Sequence, residues 1–442
     1  MGRRDADLVI VVGAGIAGLS AAHRLTAAGV PTRVLEAEMA PGGRIATRPL
    51  GDGLMELGAQ FLSTGYEILP GLLSDIGLTG QTSPVSGRSL ILSRRHAWAF
   101  DLNRPTSLLS SGLLRMRDLP PAARGWHTAR SLATRPTHDA GAWADLGSHS
   151  ARSWAEAAFG PGLSGRLLSP TVHGLYFQSL AENSAALLGP LAAFSARGAS
   201  PHTLRGGLGQ LPRALAAPLT VEYDVRVHDV RRPDLPGRPV TLSTNRGERT
   251  ARTVVLATPG PATRRMLHRP TPPEAAVLAV PYSPGLLVGL ALASPLAEDE
   301  LGGAYGVLVN PPAPTPLAAV AVHSRADVST RGEVLTAMFR PGAARRLATA
   351  SDTDIHAAAV DALAPLLPEV RSRVRDGRVV RWDAAMPTVP VGHPSAVRQY
   401  RRSLPVAPSV LLAGDHLGFP WTDAAAYNGR WAAERVIEAE CC

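Results

Sequence analysis

The sequence predicts an α/β fold, with a parallel sheet built from separated stretches of chain and an inserted α+β domain. Three observations predict it. Residues 9–25, "VIVVGAGIAGLSAAHRL", pass from an apolar run through G-x-G-x-x-G into an Ala/Leu pattern of helical spacing. Near the other end, "SVLLAGDHLG" at 409–418 reads as a buried strand delivering a glycine turn, with helical spacing from about Thr422 to Ala439. At 442 residues the chain exceeds the ~250–300 residues that one core usually serves, so a second domain is expected between these ends.

The elements follow in order. Leu8 to Val12 suits a fully buried parallel strand, Ala17 to Leu25 the helix after it, and "TRVLEA" at 32–37 the next strand, all within the span of one βαβ unit. Residues 62–200 carry mostly helical patterns broken by Pro and Gly, as in "FGPGLSGRLLSPT". From 219 to 257, "LTVEYDVRVHDV", "PVTLSTN" and "TARTVVLATPG" alternate like an antiparallel ribbon that returns to the parallel sheet. Four further strand-like runs, "PGLLVGLALA", "AYGVLVN", "LAAVAVHS" and "EVLTAMFRP", lie between 281 and 345, and helical spacing resumes from Asp352 to Leu367 behind Ser351, a good N-cap.

Composition narrows the function. The net charge of +9 comes entirely from Arg, because the 45 basic residues include no Lys. Arg is scattered along the chain, and with abundant Ala, Gly and Pro this reads as codon bias of a GC-rich genome; no nucleic-acid partner is expected. Without Lys there is no Schiff-base lysine, no P-loop and no lysine base. The two cysteines, Cys441 and Cys442, are adjacent and build neither a staple nor a metal site, and no other metal-ligand spacing occurs. No apolar run approaches the ~18 residues of a membrane helix. With no secretory segment ahead of Leu8, the expected location is cytoplasmic.

The chemistry concentrates in the first turn. Gly13 permits the tight bend, Gly15 lets backbone approach a pyrophosphate, Gly18 lets helix pack on strand, and the helix N-terminus with Ala17 supplies N–H groups and a favourable dipole. Glu36 lies 18 positions past Gly18, where a ribose diol would sit, and its charge disfavours a 2'-phosphate. A second glycine pair and an arginine follow in "AEMAPGGRIATR". A plain nicotinamide dehydrogenase does not need them.

At this point the chain resembles the superfamily of flavin-dependent amine oxidases and protoporphyrinogen oxidases, in which the acid ending the second strand is followed by G-G-R. The resemblance continues through "MELGAQF" at 55–61, "LRGGLGQLPRAL" at 204–215, "VVLATPG" at 254–260, "VVRWDAAMP" at 379–387 and "LLAGDHLG", in family order along nearly the whole chain. It implies a glutathione-reductase-like FAD-binding Rossmann fold, with an FAD domain from 1–62, 202–262 and 379–442 and a substrate domain from 63–201 and 263–378. It also implies roles. Gly13, Gly15, Ala17, Gly18, Glu36, Ala37, Gly43 and Arg44 match positions that hold the ADP half and pyrophosphate of FAD, and Val225 the residue whose backbone meets adenine. Gly58, Ala59 and Gln60 match the loop passing the isoalloxazine, and Gly414 and Asp415 the ribityl-diphosphate turn. Thr422 and Asp423 open the helix that faces the flavin N1/O2 edge, where negative charge develops on reduction.

The chain also departs from the family. The lysine that holds a water at flavin N5 is missing. Trp421 occupies one position of the usual aromatic pair, but the stretch that should supply the other offers Ala385 or Met386. The cysteine used for covalent attachment is absent there too, so noncovalent FAD is expected. Tyr176 and Phe177, Gln60 and Trp421, with Arg325 as a candidate for binding a carboxylate or carbonyl, are the expected residues around a small-molecule substrate. The expected reaction is hydride transfer from a C–N or C–C carbon to flavin N5, with O2 as acceptor and H2O2 as product, in specialised metabolism. The rivals are a non-redox flavin isomerase or cyclase, and a porphyrinogen oxidase. Homo-oligomerisation is left open.

Overall fold

The computed structural model describes residues 8–101, 104, 106–233, 235, 238–326, 328 and 332–440, so Cys441 and Cys442 lie outside the described residues. Burial decides the first sheet. Val9–Val12 and Thr253–Leu256 are buried at every position, the pattern of strands covered on both faces. Among the described residues this sheet runs in the order Val221–Glu222, Thr32–Leu35, Val9–Val12, Thr253–Leu256 and Val410–Leu412, parallel throughout.

Each face of that sheet is closed by a different set of elements. The helices Ile16–Ala27 and Thr422–Glu440 cover one, through Leu19, Leu25, Ala432 and Val436. The ribbon of Val227–Arg231, Val240–Thr244 and Gly247–Ala251 covers the other, with the helices Pro272–Leu278 and His393–Ser403. Two glycines permit the close approach of the helices to their neighbours. A Cβ on Gly18 would lie 1.9 Å from the Gly13 carbonyl oxygen, and one on Gly429 would lie 1.9 Å from that of Ala17.

A mixed seven-stranded sheet forms the second layer among the described residues, ordered Val374–Pro387, Tyr282–Leu292, Glu333–Phe339, Leu317–Val322, Gly306–Val309, Arg88–Leu92 and Ala97–Asp101. Its strands show the period-two alternation of a covered sheet. Leu286, Val288 and Leu290 pack with the helix Asp352–Leu363, which Ser351 caps by accepting from the Asp354 N–H. Leu287, Ala291 and Met338 turn to the opposite face, toward the hairpin Thr47–Leu50 and Gly53–Glu56. Gly289 seats that hairpin, since a Cβ there would lie 2.3 Å from the Met55 sulfur.

Two stretches differ from the sequence expectation. Within 62–200, read as mostly helical, the chain forms the hairpin Arg88–Leu92 and Ala97–Asp101. Its apolar alternation is short and interrupted by Arg94 and Arg95, so the period was hard to see. The strand Val374–Pro387 crosses the boundary expected at 379 and pairs with Tyr282–Leu292 along its whole course. It is an edge strand, exposed through Arg375, Asp376 and Arg378, and carries little apolar signal there. No helix among the described residues is long and apolar enough to cross a membrane.

Candidate active site

The glycine turn builds a cradle at the end of the first strand. Gly13, at φ +103°, donates its N–H to the Leu35 carbonyl at 2.8 Å. Gly15 is the N-cap of the helix Ile16–Ala27 and no side chain caps it, which leaves this helix end without a side-chain acceptor of its own. A Cβ on Gly15 would meet nothing within 4 Å, whereas one on Gly43 would come within 3.7 Å of the Gly15 Cα. The second glycine loop therefore closes over the first, held by the Gly42 N–H on the Ala14 carbonyl at 2.8 Å.

Glu36 stands beside this cradle, 9% exposed, accepting from the Ala14 N–H at 2.6 Å and the Glu38 N–H at 2.9 Å. Burial raises its pKa, against the pull of those bonds. Half-buried Ala37 follows it. The Val225 N–H is already donated to the Glu36 carbonyl at 2.8 Å, so of its backbone pair only the Val225 carbonyl is open to an adenine amino group.

Further along, Arg44 Nη1 donates to Asp415 Oδ2 and to the Ala385 carbonyl, both at 2.6 Å. Asp415 Oδ1 accepts from the Tyr282 hydroxyl at 2.7 Å, and the turn before it uses Gly414 at φ +134°. Burial pushes the Asp415 carboxyl up, but Arg44 and Tyr282 outweigh it and hold the group below its ordinary value. Gly58 and Ala59 lie against the Arg44 backbone: a Cβ on Gly58 would stand 2.2 Å from the Arg44 carbonyl oxygen, which accepts from the Ala59 N–H at 2.9 Å. Gln60 folds back, donating Nε2 to the carbonyls of Gly58 at 2.9 Å and Glu56 at 3.2 Å. Thr422 opens the last helix at the cavity wall. The Asp423 side chain turns away and accepts the N–H groups of Glu67, Ile68 and Leu69 at 3.0, 2.9 and 2.8 Å, capping the helix Leu69–Asp75.

These elements meet at a partly open cavity of about 1210 Å³, counting the space at its mouth that is open to solvent. Arg44, Gly58, Ala59, Gln60, Asp415 and Thr422 line one end of it. Aliphatic and aromatic side chains of the seven-stranded sheet and of the helix Ser169–Tyr176 make much of the rest, joined by Ile16, Phe61, Tyr66 and Trp421. Trp421, 8% exposed, stacks on Phe419 at 4.6 Å between centroids and meets Phe194 and Tyr176 at 5.7 and 6.2 Å. Phe177 enters the wall at φ +56°, a left-handed conformation uncommon for a side chain of that size. Trp382 closes the cavity with Met386 and donates Nε1 to the Leu57 carbonyl at 2.7 Å.

Trp421, Tyr176, Phe177 and Gln60 thus share one cavity with Arg44, Gly58, Ala59, Asp415 and Thr422. Arg325 is not among them. The chain turns at His323–Ala326 instead of continuing as a strand, and Arg325 donates to the carbonyls of Ala297 and Ala304, both at 2.9 Å, outside the lining of the cavity. His173 faces a separate cleft beside Arg340. Sequence reasoning missed Tyr66, Tyr305, Leu308 and Met338, all in the wall. An apolar strand residue that lines a cavity reads the same as one that fills a core. Tyr66, five positions past the loop "GAQF", was the findable one.

The sequence pattern of the flavin containing amine oxidoreductase family matches residues 16–437. The chain belongs to that family. A coproporphyrinogen III oxidase from Propionibacterium freudenreichii subsp. freudenreichii is 27% identical over 500 aligned positions, covering 98% of this chain and 91% of that one. A putrescine oxidase from Kocuria rosea is 39% identical, but the match covers only 19% of this chain and 18% of that protein. Among solved structures, a provisionally named protoporphyrinogen oxidase from Exiguobacterium sp. 255-15 superposes with a TM-score of 0.78 at 20% identity, over 98% of this chain and 99% of that one. The cyclohexylamine oxidase of Brevibacterium oxydans IH-35A gives a TM-score of 0.74 at 19% identity over 99% of each. As a member of the flavin-containing amine oxidoreductases the chain is a flavoprotein enzyme whose family implies FAD. The open cradle at Gly15, on an uncapped helix N-terminus, suits the pyrophosphate of such a cofactor.

Proposed function

We propose that this enzyme uses noncovalent FAD to dehydrogenate a C–N or C–C bond of a neutral, mostly apolar small molecule, with O2 as the final acceptor. One observation carries the reading: the two charged side chains in the cavity wall, Arg44 and Asp415, are bonded to each other at 2.6 Å, and the remaining wall is uncharged. An ammonium or carboxylate entering that wall would lose its hydration with no partner to replace it. The same feature weighs against a porphyrinogen, whose carboxylates need cationic partners.

Bound FAD would supply a hydride acceptor that dioxygen can reoxidise. The chain's own part is to hold and to exclude. Gly13, Gly15 and Gly43 shape the backbone around the diphosphate, and Arg44 with Asp415 anchors the middle of the cofactor. The N–H groups opening the helix at Thr422 offer a positive dipole end to developing negative charge. Trp421, Tyr176 and Phe177 fix the substrate carbon and keep water out. No free base in the described wall competes for a proton, so positioning is the main contribution.

The test is an absorption spectrum of the purified protein before and after heat denaturation, followed by peroxide assays on neutral and charged amines. FAD released into the supernatant and peroxide from neutral substrates are expected. A protein that refuses added FAD, or that oxidises only permanently charged amines, would overturn the reading.

A further inference from the structure

We propose that Tyr66 and Tyr176 form a paired hydrogen-bonding anchor for a neutral polar group of the substrate, such as a carbonyl or hydroxyl near the carbon that is oxidised. This rests on the cavity being the substrate site. Both residues line its wall, from elements far apart in sequence: Tyr66 just ahead of the helix Leu69–Asp75, and Tyr176 at the end of the helix Ser169–Tyr176. They flank one aromatic corner, in which Tyr66 meets Phe194 at 6.1 Å, Phe194 meets Trp421 at 5.7 Å and Trp421 meets Tyr176 at 6.2 Å.

Their hydroxyls stand out by what they lack. Three other polar groups at this cavity are engaged: the Tyr305 hydroxyl donates to the Gln60 carbonyl at 3.0 Å, Trp382 Nε1 to Leu57, and Arg44 to Asp415, whereas the Thr422 hydroxyl, beside Asp415 and Trp421 in the lining, is open like the two phenols. Trp421 Nε1 and Gln60 Oε1 have no partner but are buried away from solvent. Neither phenol hydroxyl bonds to the described residues, and neither is sealed in that way. Burial raises both phenol pKa values, and the two rings are near enough for Tyr176 to add to the rise at Tyr66. Both therefore stay protonated at neutral pH and can donate.

Two donors in an apolar wall select for a ligand that pairs with them, because a ligand without an acceptor leaves them desolvated and unbonded. The one carboxylate near enough to act on Tyr66, that of Asp423, is already taken by the N–H groups of Glu67, Ile68 and Leu69, and so is not free to draw in an ammonium. The pair thus orients a neutral molecule by its carbonyl or hydroxyl while the apolar remainder fills the side formed by Leu308 and Met338.

Calorimetric titration with benzamide tests this, with toluene as the shape control that has no acceptor, and benzylammonium and benzoate as charged controls at pH 7. The expected result is that benzamide binds about tenfold more tightly than either ion. Tyr66→Phe and Tyr176→Phe should each weaken benzamide about fivefold to tenfold while leaving toluene, melting temperature and flavin content unchanged. Equal benzamide affinity in the double variant, tighter binding of either ion, or loss of FAD from the variants would overturn the assignment. Calorimetry reads the pair with or without flavin, so failure of the FAD reading would be seen separately in the absorption spectrum.

Discussion

Single residues decide whether the cofactor cradle works. Gly15→Leu would push a side chain into space that now holds no neighbouring atom, and should yield a colourless protein; a variant retaining its full flavin absorbance would refute the cradle. Trp421→Ala should keep the yellow colour and slow flavin reduction by substrate, measured anaerobically in a stopped-flow instrument. Glu56 gives a pH signature. It is fully buried, accepts from the Leu208 N–H at 2.7 Å and the Thr47 hydroxyl at 2.8 Å, and burial still raises its pKa from 4.5 to about 7. Between those values the folded protein holds a proton that the unfolded chain has released. Stability from this group is therefore full below pH 4.5 and declines as pH rises toward 7, by at most about 3 kcal/mol. Denaturant unfolding across that range should show a flatter profile for Glu56→Gln than for the parent. At this scale the sequence was informative for backbone positions, because a glycine spacing states a conformational demand directly. It was poor for Arg325, whose partners are backbone carbonyls distant in sequence.

Among the elements, the contact between Ile16–Ala27 and the last helix is the tightest constraint. Gly429→Val would drive a branched side chain into the Ala17 carbonyl, which even a methyl group would approach to 1.9 Å. The expected cost is about 1–3 kcal/mol or more, read as a drop in the urea midpoint at unchanged m-value. The parallel strands were legible because fully buried strands are continuous apolar runs. Val374–Pro387 was legible as a motif and hidden as a strand, since its Arg-rich outer half looks like surface. The helix Ala151–Leu163 bends at Gly160, φ +76°, just before Pro161, as its composition suggested.

At the scale of the whole molecule, the cavity forms where the seven-stranded sheet meets loops and helix ends contributed by stretches far apart in sequence, so a cofactor seated there binds only the folded chain. Added FAD should raise the unfolding free energy by about 2.7 kcal/mol at one hundred times Kd, read as a melting temperature that climbs with the logarithm of its concentration. No rise at any concentration would argue against a site formed on folding. The two-part architecture was legible from motifs at both ends of the chain, whereas the shape of the cavity was not, because it depends on which apolar faces fail to meet. The strand Val374–Pro387 also has an engineering consequence. Its Ala385 carbonyl is held by Arg44 and its Trp382 by Leu57, while its Met386 faces the substrate space. Libraries that randomise 380–387 would therefore disturb cofactor retention together with selectivity, and most members would be lost for the wrong reason. Leu308, Ala319, Ala321 and Met338 line the same cavity from other strands and are the positions at which substrate scope can be evolved separately.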